Sequence, residues 1–230
     1  MITRIAIAVS FAFVVIVVSP VEAEEAQTRA YLPAGSVDAK SLIPAPPKVD
    51  SPALNEQLAI VLWLQRTRTP EDVQFIEKTL NVERFAPILG ADLFALNAAE
   101  LKRLIDRAID EVRQDYDALK AVYDLPRPFK VSAEVKPVGD ARPVASYPSG
   151  HAIRAMIYAR LLAEIFPERE KALIDFAHRI GYGRVVAGLH YPVDVTSGQI
   201  LGNAYADAII AGRGFKESVA EIRSEAKAAN

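Results

Sequence analysis

The stretch NAAELKRLIDRAIDEVRQDYDALKAVYDLPRP, residues 97–128, places apolar side chains at Leu101, Leu104, Ile105, Ala108, Ile109 and Val112. Recurrence at three and four residues draws one apolar stripe along a helix. The spacing predicts a long amphipathic helix from Ala98 to about Tyr123, with Asn97 as its cap. Pro126 and Pro128 end it, because proline lacks an N–H and its ring clashes with the preceding turn.

The same rhythm continues on both sides. Upstream, Leu54, Leu58, Val61 and Leu62 mark a helix over Leu54–Leu64, with Trp63 read as core. Thr69-Pro70-Glu71-Asp72 reads as a helix start: a capping Thr, Pro in the first turn, then acids facing the helix dipole. Downstream, a proline- and glycine-bearing loop covers about Phe129 to Pro148. Helices are expected from near Ser149 to Phe166, from Glu168 to Gly181 and from Pro192 to Gly212, with a loop or helix end at 183–191. Neither an internal repeat nor a convincing strand pair is found. The fold class predicted is all-α, a single-domain helical bundle over 51–214. Residues 24–50 form an extended arm, since Ile43-Pro44-Ala45-Pro46-Pro47 cannot be helix interior, and residues 215–230 form a polar helix or frayed tail.

Composition narrows the function classes. The chain has 230 residues, 51% of them hydrophobic and 24% charged, which suits one globular domain with a full core. A formal net charge of -2 offers no basic excess for nucleic acid. The absence of cysteine removes disulfides, thiolate nucleophiles and cysteine-bound metals. At the N-terminus, Arg4 precedes an apolar run from Ile5 to Val18, and Val21-Glu22-Ala23 ends in a small residue. This is the layout of a secretory signal peptide cleaved after Ala23, and the run is short for a membrane span. A periplasmic or secreted protein, without stable membrane insertion after cleavage, is expected.

Three short blocks hold most of the reactive side chains: Lys120 to Pro128, Pro148-Ser149-Gly150-His151, and Arg184 to Asp194. They bring together three fixed cations, two histidines, a carboxylate and a Ser-Gly turn at a helix start. Phosphoryl transfer without a metal needs such a set, because it depends on positioning and on stabilising negative charge. Arg127 and Arg184 offer planar forks that match phosphate oxygens, and Lys120 adds a compact charge. Ser149 and the amides of Gly150 and His151 would open a helix, where unpaired N–H groups attract anions. His190 lies four residues before Asp194, close enough for the carboxylate to hold one ring nitrogen and free the other to attack phosphorus. His151 would protonate the leaving oxygen. Taken singly, each of these residues has an ordinary structural explanation. The joint spacing outweighs it, and His178, with no such company, reads as a packed or surface residue.

These blocks resemble the signature of the type-2 phosphatidic acid phosphatase superfamily: Lys, six residues, Arg-Pro; Pro-Ser-Gly-His; then Ser-Arg, five residues, His, three residues, Asp. With Tyr31-Leu32-Pro33, the proline-rich arm, Arg127-Pro128-Phe129 and Ser146-Tyr147-Pro148, the chain is most similar to bacterial class A non-specific acid phosphatases. The resemblance implies the acid phosphatase/vanadium haloperoxidase fold and metal-independent, vanadate-sensitive hydrolysis of phosphomonoesters of broad range, with an acidic optimum and no cofactor. It also implies His190 as nucleophile forming a phosphohistidine, His151 as general acid and Asp194 as partner of His190. Lys120, Arg127, Ser149, Gly150 and Arg184 would bind phosphate, and relatives of this class suggest a homo-oligomer, a dimer at simplest. One position departs: the serine expected before Arg184 is Gly183, which removes a hydroxyl near the site. Rival readings are a haloperoxidase, usually a much larger chain, a membrane lipid phosphatase, which would need several spanning helices, and a phosphate-binding protein, which would need no nucleophile and acid pair.

Overall fold

The computed structural model describes residues 29–228, and the segment read as a signal peptide lies outside them. Within those residues the chain is helical and contains no strand. The longer helices are α1 (Pro52–Thr67), α2 (Pro70–Glu77), α3 (Ala91–Tyr123), α4 (Gly150–Ile165), α5 (Glu170–Val186), α6 (Pro192–Ala211) and α7 (Arg213–Ala228).

The centre is α4. Eleven of its residues are buried, from Ala152 to Ile165 and on every face, as expected of a helix wrapped by others. It packs most extensively against α5 and α6, while α3 covers a further side. Close approach of α6 depends on two glycines. A Cβ at Gly198 would lie 2.7 Å from the Ser149 carbonyl oxygen, and one at Gly202 would lie 2.6 Å from that of Ile153. Both contacts are prohibitive for any larger residue. The tight α4–α6 seam brings the first turn of α6 beside the first turn of α4, where Ser149 N–H donates to the Asp194 carbonyl at 3.0 Å.

Helix ends follow local chemistry. Thr69 and Asp72 form a reciprocal capping box on α2. Ser149 caps α4 through a bond from Ala152 N–H. Asp124 ends α3 in the left-handed region, before the prolines. Other boundaries differ from expectation. Helix α3 starts at Ala91 after Gly90, whose φ of 92° breaks the preceding turn, so Asn97 lies within the helix and not at its cap. Helix α5 runs on to Val186 through Gly181 and Gly183, because packing against neighbouring helices overrides the weak helix preference of glycine. Pro128–Val131 forms one helical turn inside the predicted loop. Trp63, expected in the core, is 56% exposed.

The C-terminal stretch forms the amphipathic helix α7, with Phe215, Val219 and Ile222 buried. It packs on α3, α6 and α4. The N-terminal arm is tied to α3 by one carboxylate: Glu111 accepts the backbone N–H groups of Ala30, Tyr31 and Leu32 at 2.8–2.9 Å. Further on, Tyr147 O–H donates to the Pro44 carbonyl, fixing the proline-rich part of the arm beside the loop that precedes α4. Among the described residues, no helix is long and apolar enough to cross a membrane.

Candidate active site

The three blocks converge at the N-terminal end of α4. A cleft of about 510 Å³ is lined there by Lys120 from α3, Arg127, Gly150 and His151 from the start of α4, and His190. Arg184, near the end of α5, lines an adjoining cavity of about 270 Å³ that shares His151 with the cleft. Ser149 and Asp194 are fully buried behind this wall. Ser149 serves as the cap of α4 and supports the cleft from beneath.

His190 is 1% exposed and Asp194 is 0% exposed, so neither side chain relies on solvent. His190 Nδ1 lies 3.1 Å from Asp194 Oδ2. Arg127 Nη1 donates to His190 Nε2 at 3.3 Å and to the Leu189 carbonyl at 3.0 Å. Arginine can only donate, so Nε2 must be the acceptor and the ring proton must sit on Nδ1, facing the carboxylate. Asp194 also accepts the Tyr191 N–H at 2.9 Å, the reach-back bond of a carboxylate in the first turn of a helix. Its helix-capping role and its contact with His190 therefore share one oxygen. Ser146 O–H donates to that same oxygen at 2.5 Å.

The cations also order the loop before α4. Lys120 Nζ donates to the carbonyls of Ala145, Ser146 and Pro148 at 3.0, 3.3 and 2.7 Å. Arg127 Nε donates to the Val144 carbonyl at 2.9 Å. Lys120 thus holds the loop as well as lending charge. Arg184 Nε is buried without a hydrogen-bond partner among the described residues, a costly arrangement that an anionic ligand would relieve.

Protonation follows from this crowding. Burial pushes Lys120 down to about 8, helped by Arg127, and brings Arg184 down to about 10. The His190 imidazole is held well below its ordinary value by burial and then by Arg127, Lys120 and Arg184, so it is neutral and carries a free lone pair. Burial raises Asp194 to about 6, opposed by its bonds from Ser146 and Tyr191 and by Lys120 and Arg127. His151 is also held well below the ordinary value, by burial and then by Arg184, Arg154, Arg127 and Arg84. No protein group hydrogen-bonds its ring among the described residues.

Every predicted site residue therefore lies in the cleft wall, in the adjoining cavity or directly behind them. Three contributors were not singled out from sequence. Ser146 belongs to the Ser-Tyr-Pro run, but its contact with Asp194 spans 48 positions and has no local signal. Arg142 sits in the loop without a motif. Arg154 had a weak signal: it follows His151 by three residues, on one helical face. Gly183 does not line the cleft. A Cβ there would meet Ile76 at 3.5 Å and Phe75 at 3.8 Å, and Ile76 borders the adjoining cavity that Arg184 lines. His178 is exposed, as expected.

This architecture is a helical scaffold with a cationic, histidine-bearing anion pocket at the start of its central helix. The chain carries a PAP2 superfamily domain, matched by that family's model over residues 109–216, which includes every site residue above. It is 26% identical to a non-specific acid phosphatase of Salmonella typhimurium, over 93% of this chain and 90% of that protein. It is 22% identical to one of Providencia stuartii, over 83% and 81%. A lipid A 1-phosphatase of Rhizobium etli is 30% identical over about half of each chain (51% and 47%). The chain is accordingly a phosphatase with an all-α fold, similar over residues 109–216 to the PAP2 superfamily.

Proposed function

We propose that this protein is a secreted or periplasmic acid phosphatase that hydrolyses phosphomonoesters through a phosphohistidine on His190, without a metal. The observation that carries the reading is the two-sided hold on His190: Asp194 on Nδ1 and Arg127 on Nε2. It leaves a neutral imidazole whose only lone pair points at the cation that would bind phosphate.

In the first step Nε2 attacks phosphorus and a P–N bond forms. The P–O bond to the leaving group breaks, its electron pair passes to the leaving oxygen, and His151 supplies the proton. Asp194 stabilises the positive charge that grows on the His190 ring. In the second step His151 takes a proton from water, the water oxygen attacks phosphorus, and the P–N pair returns to Nε2. Lys120, Arg127, Arg184 and the amides at the start of α4 offset the charge on the equatorial oxygens, a task that a metal ion performs in other phosphatases. His151 must begin this cycle protonated, yet the surrounding arginines oppose that. A bound phosphate dianion offsets those arginines, so substrate binding itself restores the acid, and acid pH assists it.

The test is turnover of p-nitrophenyl phosphate by the mature chain in chelator, with acid-quench trapping of the phosphoenzyme. Wild type should turn over with the chelator present and trap label on histidine, while His190→Ala should trap none. A normal phosphoenzyme burst in His190→Ala removes the nucleophile assignment. Activity lost in chelator and restored by a divalent cation removes the metal-free mechanism.

A further inference from the structure

Lys120, Arg127 and Arg184 already match one phosphoryl group, yet the cleft wall carries three more arginines: Arg113, Arg142 and Arg154. Arg154 stands one turn after His151 on α4. Its Nε donates to the Gly150 carbonyl at 3.2 Å, and its side chain lines the cleft. Among the described residues its terminal nitrogens donate to no protein acceptor. Arg142 pairs through Nε with Asp140 at 2.6 Å, but both side chains are largely exposed, so that pair holds the arginine only weakly.

Arg142, His151 and Arg154 form the shared wall between the cleft and the adjoining cavity, where Lys78 joins them. The acids in the cleft are Asp117 and Asp124; those in the adjoining cavity are Glu77 and Asp140. Five basic side chains outnumber the two acids in the cleft, and the excess lies around the general acid, where the leaving group departs.

We infer that Arg154, with Arg142 and Arg113, forms a second anion subsite on the leaving-group side of the cleft, so that the preferred substrates carry a further phosphate on the leaving group, as diphosphates and bisphosphates do. The inference rests on the assignment above only for which side is the leaving-group side. A planar guanidinium with free terminal N–H groups is the side chain best suited to grip a second phosphate through paired bonds.

The experiment measures binding and so does not depend on turnover. Methylenediphosphonate and methylphosphonate are titrated calorimetrically into wild type, Arg154→Gln, Arg154→Lys and Arg66→Gln, the last on an exposed site of α1 away from the cleft. Wild type should bind the diphosphonate at least about tenfold more tightly than the monophosphonate. Arg154→Gln should cut that ratio by about tenfold, Arg154→Lys by less, and Arg66→Gln should leave it in place. Equal affinities in wild type, a ratio unmoved by Arg154→Gln, or an equal fall in Arg66→Gln would each overturn the subsite. Should circular dichroism show Arg154→Gln unfolded, Arg142→Gln takes its place with a smaller expected fall, and an unmoved ratio there counts against the subsite. A protein that prefers the diphosphonate through Arg154 but turns over no phosphomonoester keeps the subsite and loses the catalytic reading.

Discussion

Ser146 Oγ donates to Asp194 Oδ2, the oxygen that also faces His190 Nδ1. Loop and helix are thereby joined at the carboxylate that, in the proposed mechanism, orients the nucleophile. Ser146→Ala removes a bond to the charged form of Asp194, which raises its pKa further above about 6. The proposed mechanism requires that carboxylate ionised. The acid limb of kcat/KM should therefore move to higher pH, with a loss of about tenfold near pH 6, or about 1.4 kcal/mol. A purely structural serine would lower activity equally at every pH, and that result would remove its positioning role.

Asp194→Asn tests the other end of the same contact. Asparagine keeps the shape but can offer an amide N–H to His190, favouring the tautomer with its proton on Nε2. A fall in kcat of about 10³–10⁴-fold is expected, the size seen where a carboxylate orients a catalytic histidine in other hydrolases. The measurement is single-turnover phosphoenzyme formation, which should slow by the same factor. A drop below about tenfold would mean that burial alone orients the ring.

Binding of a fixed dianion in the cleft should take up protons. In the free protein, burial and Arg184, Arg154, Arg127 and Arg84 hold His151 well below its ordinary value. A bound dianion offsets those cations and raises the His151 pKa. Between the free and bound values the complex holds more protons, so affinity for sulfate, a dianion that does not itself titrate there, should strengthen as pH falls through that window. Calorimetry of sulfate binding near pH 6 in two buffers of different ionisation enthalpy measures the uptake. Proton release would contradict the assignment of His151.

Gly183 does not line the cleft that holds His190, and little effect on turnover is expected of it. It lies inside α5 with its open face toward Ile76 and Phe75 at ordinary contact distance. Gly183→Ala should stabilise the protein by about 0.5–1 kcal/mol, since alanine is the better helix former. That corresponds to about 1–4 °C in Tm for a chain of this size. Gly183→Ser should leave kcat/KM within about threefold of wild type. A Tm that falls with alanine would show that the helix needs the glycine.

Much of this was legible in the chain. Thr69 with Asp72, and Ser149 with its following turn, are local signals, and the structure uses both as caps. The apolar stripe of Leu101 to Val112 is buried as its period requires. Boundaries set by packing were less legible. Nothing near Gly181 and Gly183 announces that α5 continues, because its continuation depends on what lies against it.

For the candidate site, spacing singled out Lys120, Arg127, His151, Arg184, His190 and Asp194, since each block is a few residues long, and the structure brings those six together around the cleft and the adjoining cavity. How they share the work required the packed molecule. Lys120 meets carbonyls 25–28 positions away, Ser146 meets Asp194 across 48, and Arg154 borders two cavities at once. Such contacts depend on how closely α6 lies on α4, which Gly198 and Gly202 permit. Short-range order is written in neighbouring residues. Burial, tautomer and the crowding of like charges arise only when distant segments share one volume.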